Sequence, residues 1–360
     1  MIKVGIVFFQ NLRYAPFIKF YTDILDSMDG VNYEIVYYNR DRKLKEPKNE
    51  KYIPIPWIGK GTNAAPKIEK ALNFAFWKVY ANKLIKKKNY DFVIVIMTTA
   101  AVLLEGTLIR QYKDRFIFDI RDYTQEHVKW FLEAEKVLVE NSKLNVISSP
   151  GFKKFLPSGK YEMCHNFNQD GVKNVQKKFE RKKNLPIQIS YIGSISYEDQ
   201  CIELMKLVNS DKRFSFMFYG NENTSHRVSK EVQKLGNDRI QMRGTFLPEE
   251  KEKIYEQSAL VFNCYGNDHP LVLHAISNKH YDGALYKVPV LNSPNTIMAE
   301  LAGSNGYVLD LGNIENLDGL YDWYMQLNEQ EYEKYTNRVI ECALADNQKT
   351  RKKIISAIRD

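Results

Sequence analysis

The sequence has few cysteines and no long apolar run, and each shortage argues against a class of protein. Its 360 residues include four widely separated cysteines, Cys164, Cys201, Cys264 and Cys342. No Cys-x-x-Cys pair or Cys/His ligand spacing occurs, which argues against a disulfide framework and a zinc site. No apolar segment approaches the roughly 18 residues that a membrane-spanning helix needs. Because the start, MIKVGIVFF, reads as a strand and not as a leader, we expect a cytoplasmic protein.

Acidic residues are fewer than basic ones. The chain has 44 Asp and Glu against 52 Lys and Arg, so its formal net charge is +8. A basic excess favours nucleic acid, an anionic membrane surface or a phosphate-bearing substrate as the partner. The sequence has no aromatic-basic RNA-binding motif and no zinc-finger pattern, so we expect no nucleic-acid partner.

The glycine fingerprint of dinucleotide-binding domains is also missing. Residues 2–9 read as a buried strand, but no GxGxxG follows them. Apolar strands and amphipathic helices nevertheless alternate along the chain, which predicts α/β structure with parallel sheets. The alternation stops at a polar, Lys-rich segment and then begins again.

This pattern predicts two Rossmann-like domains facing a cleft, followed by C-terminal helices. The predicted ranges are an N-terminal domain at 1–166, a linker at 167–185, a second domain at 186–328, and helices at 329–360 that can cross back to the N-terminal domain. A cleft between the carboxyl ends of two sets of strands suits a two-part substrate.

Residues 66–88 predict a long helix that follows a loop predicted at 54–61. The helix contains seven lysines, one glutamate and four aromatic residues. A basic and aromatic helix is typical of a segment lying on an anionic membrane surface. The alternative is an ordinary domain helix with its apolar side chains inward and its lysines outward.

Polar side chains follow a predicted strand in each half of the chain. In the first half, Asp119 and Asp122 end the strand at 115–120, and His127 lies just beyond them. In the second half, Asn278, Lys279, His280 and Asp282 stand shortly before a strand that includes Val290. Ligands of open α/β sheets bind at the carboxyl ends of strands, so both groups are candidate binding sites. The alternatives are helix capping, surface ion pairs and solvated helix charges.

The order of segments in the second half resembles the nucleotide-sugar domain of GT-B glycosyltransferases. The strongest similarity is to the family 4 type of bacterial capsule and exopolysaccharide biosynthesis. Three segments carry the resemblance, in the expected order: YIGS at 191–194, GTF at 244–246 followed by a helix and the strand SALVFN, and DGALYKVPV at 282–290.

The resemblance implies roles for individual residues. Asp282 stands at the family's second acid, which binds ribose hydroxyls, and His274 replaces the first acid, which contacts the donor sugar. Lys279 and Arg243 would neutralise the donor diphosphate. The remaining implied donor-site residues are Gly193, Ser194 and Asn278. Lys287 stands where the family has a glycine.

In the first half, FDIRD at 118–122 resembles the family's acceptor-side turn. Asp119 and Asp122 are therefore candidates for acceptor contact, with His127 as a further candidate base. Arg121 replaces the histidine that the family has in this turn.

The resemblance implies a cytoplasmic, metal-independent hexosyltransferase without a cofactor. It would transfer a sugar from a nucleotide-diphosphate donor to a glycan, lipid-linked in surface polysaccharide biosynthesis, at the inner face of the membrane. Two alternatives stay open: a nucleotide-sugar 2-epimerase of the same architecture, and a non-catalytic protein that binds sugar or nucleic acid.

Overall fold

A computed structural model describes residues 1–15, 17–41, 49–59, 66–167, 177–222 and 225–360. They divide into two compact units. Unit 1 comprises Met1–Asn166 and Ala345–Asp360, and unit 2 comprises Phe167–Leu344. Of the predicted linker, residues 168–176 lie outside the described part. Residues 177–185 belong to unit 2, where Lys182 Nζ donates to the Ser258 carbonyl at 2.6 Å.

Unit 1 is built on a seven-stranded parallel sheet in the order β3-β2-β1-β4-β5-β6-β7. Its strands are β1 (Ile2–Phe8), β2 (Val31–Asn39), β3 (Tyr52–Pro56), β4 (Phe92–Ile96), β5 (Phe116–Ile120), β6 (Leu144–Ile147) and β7 (Tyr161–Met163). Its first helices are α1 (Ile18–Asp26), α2 (Lys67–Lys88), α3 (Thr98–Gln111) and α4 (Lys129–Asn141). Every residue of the run FVIVI in β4 is buried, as expected for a central parallel strand covered on both faces.

The edge of this sheet differs from the sequence prediction. The loop predicted at 54–61 is wrong in its first part, because β3 continues to Pro56 and pairs with β2. Proline cannot donate a ladder hydrogen bond, but an edge strand needs partners on only one side. Pro54 and Pro56 therefore fit at this edge.

Unit 2 contains a six-stranded parallel sheet in the order β10-β9-β8-β11-β12-β13. Its strands are β8 (Ile187–Ile192), β9 (Phe214–Tyr219), β10 (Ile240–Gly244), β11 (Leu260–Asn263), β12 (Val290–Asn292) and β13 (Tyr307–Val308). Its helices are α5 (Glu198–Ser210), α6 (Arg227–Leu235), α7 (Lys251–Gln257), α8 (Pro270–His274), α9 (Asn278–Tyr286), α10 (Ile297–Ala302) and α11 (Asp318–Gln326). The strand order reverses at β8, which has β9 on one side and β11 on the other. Such a switch point is the usual ligand position in an open α/β sheet.

The last helix, α12 (Glu329–Arg359), begins in unit 2 and ends in unit 1. Its C-terminal part is anchored to unit 1 by hydrogen bonds. Asn347 Oδ1 accepts from the His165 backbone at 2.7 Å, and Thr350 donates to the Met163 carbonyl at 2.6 Å. The buried Ile354 adds an apolar contact with the unit 1 core.

Helix α2 has two different long faces. One face is buried against unit 1 through Trp77, Ala81 and Ile85, each 0% exposed. On the opposite face, Ile68 and Leu72 are 76% and 66% exposed. Helix α2 is therefore half-buried, as the alternative of an ordinary domain helix expects, but its outer face also exposes apolar side chains.

Candidate functional site

The loops at the carboxyl edge of the unit 2 sheet lie side by side and are joined by backbone hydrogen bonds. The Gly193 amide donates to the Tyr219 carbonyl at 2.8 Å, and the Gly220 amide donates to the Gly244 carbonyl at 2.7 Å. Gly220 has a φ of +143°, and a Cβ at this position would lie 1.8 Å from the Gly193 carbonyl oxygen. Only glycine permits this close approach, so the loops after β8, β9 and β10 form one continuous layer of hydrogen-bonded backbone.

The Tyr191 hydroxyl bridges two residues of the loop after β8 by hydrogen bonds. That hydroxyl donates to the Ser194 carbonyl at 2.9 Å and accepts from the Ser196 amide at 3.0 Å. Gly193 has a φ of +120°, and Ser194 is exposed. The predicted pair Gly193 and Ser194 therefore lies on a fixed turn with accessible backbone.

Lys279, on the first turn of α9, lies in a cage of tyrosine rings. Its Nζ is 5.1 Å from the ring centroids of both Tyr191 and Tyr265, and it donates to the Tyr265 hydroxyl. Tyr197 stacks on Tyr265 with centroids 4.2 Å apart and an interplanar angle of 11°. A Cβ on Gly193 would lie 3.9 Å from the Lys279 Nζ, so the amine stands directly over the loop after β8.

No carboxylate of the described residues forms an ion pair with Lys279. Burial lowers the pKa of Lys279 to about 8, and the Asp282 carboxylate offsets part of that shift. A partly buried cation without a direct counter-ion is costly, so this position favours an anionic ligand.

The N-terminus of α9 adds a second positive element. Ser277 caps the helix by accepting from the Lys279 amide at 3.3 Å, and Asn278 is exposed at the first helical position. The dipole of a nine-residue helix favours negative charge at this end.

Asp282 lies one turn further along α9. Its Oδ2 forms an ion pair with Lys251 Nζ at 2.6 Å and accepts from the Tyr255 hydroxyl at 3.4 Å. Both contacts involve the same oxygen, which leaves Oδ1 for a hydroxyl-bearing ligand.

Two of the predicted donor residues, Arg243 and His274, do not belong to α9 with Lys279 and Asp282. Arg243 is exposed near the end of edge strand β10, separated from β8 by β9, and makes no hydrogen bond or ion pair within the described ranges. His274 is half-buried at the end of α8, in the segment that connects β11 to α9.

Lys287, which replaces the family's glycine, has a structural explanation. It ends α9 with a φ of +58°, the left-handed conformation that glycine adopts most easily. Its buried Nζ donates to Thr336 Oγ1 at 2.9 Å and to Asn337 Oδ1. Lys287 therefore ties α9 to α12, a contact that local sequence cannot reveal.

In unit 1, Asp119 is buried and bonded on one carboxylate oxygen. Oδ2 accepts from the Tyr21 hydroxyl and from Arg121 Nε, both at 2.8 Å. Arg121 also donates to the Cys164 carbonyl at 3.1 Å. Asp119 is 0% exposed, so in this structure it can orient Arg121 but cannot touch an acceptor.

Asp122 and His127 are exposed at the carboxyl edge of unit 1, in the turn after β5. The Tyr123 hydroxyl lies 3.3 Å from His127 Nδ1, which leaves Nε2 of the ring for another partner. Helix α4 begins at Lys129, two residues after His127.

Sequence reasoning missed the tyrosine cage. Its members come from three segments. The only local signal was a tyrosine close to a glycine at the carboxyl ends of two strands, at Tyr191 in β8 and at Tyr265 just after β11.

A scan against protein-family models gives no match, and neither does a search of curated proteins. Solved structures match nearly the whole chain. Sucrose-phosphate synthase from Thermosynechococcus elongatus superposes with a TM-score of 0.69 at 11% identity, covering 99% of this chain and 100% of that chain. HepE from Anabaena in complex with UDP and glucose gives 0.63 at 12%, covering 98% and 99%. WaaB, a lipopolysaccharide outer core galactosyltransferase, gives 0.65 at 12%, covering 99% of each chain.

The chain has the GT-B fold. The predicted fold class, with two Rossmann-like domains and C-terminal helices, is confirmed. Within the described ranges, no helix combines the length and apolarity required to cross a bilayer. The same ranges contain no cluster of three or more His, Cys, Asp or Glu side chains suited to a metal ion.

Proposed function

We propose that this protein is a glycosyltransferase that transfers a hexose from a nucleotide-diphosphate donor to a lipid-linked glycan. The observation that carries the proposal is Lys279. It is a partly buried cation without a direct counter-ion, placed over a glycine turn, at a helix N-terminus and at the switch point of a parallel sheet. These features together suit a diphosphate.

In this proposal the unit 2 residues bind the donor. Lys279 and the N-terminal dipole of α9 neutralise the diphosphate, and Asp282 Oδ1 accepts from a ribose hydroxyl. Gly193 lets the donor approach the backbone closely, with Ser194 and Asn278 as polar neighbours. Arg243 is an outer cation, and His274 takes the position facing the donor sugar.

The proposed reaction needs one bond exchange. The bond between the sugar C1 and the diphosphate oxygen breaks while the acceptor oxygen bonds to C1. Charge builds on the leaving diphosphate, which Lys279 and the helix dipole stabilise without a metal or cofactor. His127 Nε2 takes the proton of the acceptor hydroxyl, and Asp122 binds a neighbouring hydroxyl.

The donor site can be tested by thermal shift with UDP, GDP, ADP, TDP and CMP. We expect one of them to stabilise the protein, by about 2.7 kcal/mol at 100 times its Kd. UDP is the first choice because the HepE structure contains it. Asp282→Ala should abolish the shift, whereas Asp238→Ala, which removes an exposed acid at the opposite edge of the sheet, should keep it. The proposal fails if no nucleotide stabilises the wild type.

The lipid-linked acceptor is proposed from the outer face of α2. Ile68, Leu72 and Val79 recur at helical spacing opposite the buried face, and Val79 is 69% exposed. The same outer side is basic toward its C-terminal end, through the exposed residues Lys83, Lys86 and Lys87. Apolar side chains flanked by lysines suit the headgroup region of an anionic membrane.

We therefore expect the protein to co-sediment with anionic vesicles but not with zwitterionic ones. The double variant Leu72→Glu/Val79→Glu should weaken binding at least tenfold, because two apolar side chains are lost and two negative charges are added. Leu247→Glu is a matched control, since Leu247 is 59% exposed in unit 2. Equal binding by wild type and double variant would refute membrane contact through α2.

A further inference from the structure

Arg40 follows the carboxyl end of β2 in unit 1 and is set among aromatic rings. Its guanidinium carbon is 5.9 Å from the ring centroid of Phe9 and 5.8 Å from that of Trp57. Phe9 and Trp57 are 2% and 0% exposed. Arg40 is itself only partly accessible, and its Nε is fully buried.

The Arg40 guanidinium makes no hydrogen bond or ion pair with any residue that the structure describes. Desolvation lowers the pKa of Arg40, and Tyr38 offsets part of that shift. Arg121, the other inward-facing arginine near this edge, forms an ion pair with the buried carboxylate of Asp119 at 2.7 Å. A partly buried guanidinium without such a partner costs stability, so its presence requires another explanation.

The position of Arg40 is held rigidly. The buried Asn11 carboxamide accepts from the Arg40 amide at 3.0 Å and from the Asp41 amide at 2.9 Å, and it donates to Asn39 Oδ1 at 2.9 Å. Beneath the guanidinium, Phe9 packs edge-on against Trp77 of α2 with centroids 4.7 Å apart. A preorganised cation at the carboxyl edge of a parallel sheet has the form of a binding site.

We propose that Arg40 binds an oxyanion, a phosphate or carboxylate group of the acceptor. The planar guanidinium offers parallel N–H donors that match either group. Phosphate is favoured because the proposed acceptor is lipid-linked. The assignment to an acceptor rests on the proposed glycosyl transfer, whereas the binding of an oxyanion does not.

Binding can be measured without any transfer reaction. The full chain carrying Lys279→Met is titrated with inorganic phosphate, geranyl diphosphate and glucuronate, so that the donor site contributes little. The readouts are calorimetry and tryptophan fluorescence, because Trp57 stacks near the guanidinium. Adding Arg40→Gln should weaken binding of the preferred anion at least tenfold. Adding Arg110→Gln, an exposed arginine on α3, should change nothing.

Each outcome decides the proposal or its ligand. Tightest binding of geranyl diphosphate identifies a lipid-linked phosphate, and tightest binding of glucuronate identifies an acidic sugar. No binding by the protein with intact Arg40, or equal binding by Arg40→Gln, would overturn the proposal. Arg40→Gln should also change the melting temperature little, because the guanidinium loses only its contacts with the Phe9 and Trp57 rings and no hydrogen bond or ion pair. A clear fall would mark Arg40 as a structural residue and overturn it too.

Discussion

Lys279→Met is expected to lower kcat/KM for the nucleotide-sugar donor by about 10²–10³-fold, the usual effect of removing one preorganised group that stabilises developing charge. Methionine keeps the apolar bulk inside the tyrosine cage but cannot neutralise a leaving diphosphate. The measurement is steady-state release of the nucleoside diphosphate at varied donor concentration. Lys206→Met is the matched control, because Lys206 is an exposed lysine on α5 that pairs with Glu203.

The pH profile tests the same residue independently. Burial lowers the pKa of Lys279 to about 8, so the amine is charged below this pH and loses its proton above it. Only the charged form attracts diphosphate, so kcat/KM should fall as pH rises through 8. Bound diphosphate favours the charged amine, which should move the corresponding fall in kcat to higher pH. An unchanged alkaline fall in kcat/KM for Lys279→Met would contradict this role.

Asp119→Ala should destabilise unit 1 by about 3–5 kcal/mol, since it leaves the buried Arg121 guanidinium without its carboxylate. Arg121 is 5% exposed, and its other hydrogen-bond acceptors among the described residues are the Cys164 carbonyl and thiol. Urea unfolding followed by circular dichroism measures the loss. Asp122→Ala is a close control, because the same substitution three residues away removes an exposed acid and should change stability by about 0.5 kcal/mol or less.

The double variant Asp119→Ala/Arg121→Met distinguishes two causes of destabilisation: the loss of packing contacts and the cost of a buried, unpaired guanidinium. Removing both charges should recover much of the stability lost in Asp119→Ala. A double variant as unstable as the single one would show that packing, and not the unpaired guanidinium, causes the loss. If Asp119→Ala is no less stable than Asp122→Ala, Asp119 does not position Arg121.

Most of the fold could be predicted from the sequence because buried parallel strands are continuous apolar runs. FVIVI in β4 and the run in β1 are recognisable without any tertiary information. The edge strand β3 could not be predicted from the sequence, because its prolines are a strong loop signal. Whether a strand lies at the edge of a sheet, where proline is tolerated, depends on its neighbours in space.

The candidate site was predictable only in part. Lys279 and Asp282 could be proposed from the sequence because they belong to one short segment with a recognisable order. The cage around Lys279 was not found, because Tyr191 and Tyr265 are 74 residues apart in the chain and meet only where β8 and β11 pair. Asp119 was proposed as an acceptor contact because sequence cannot distinguish a carboxylate at a strand end from one turned into the core.

The sequence by itself determined the α/β class, the two series of strands and the candidate donor segment, because these follow from hydrophobic periodicity and short-range spacing. The tertiary structure alone decided which charged groups have partners. Arg121 and Asp119 neutralise each other in the core, whereas Lys279 and Arg40 face no carboxylate partner among the described residues. The reason is physical: ion pairing depends on distances of a few ångströms between segments that are far apart in the chain.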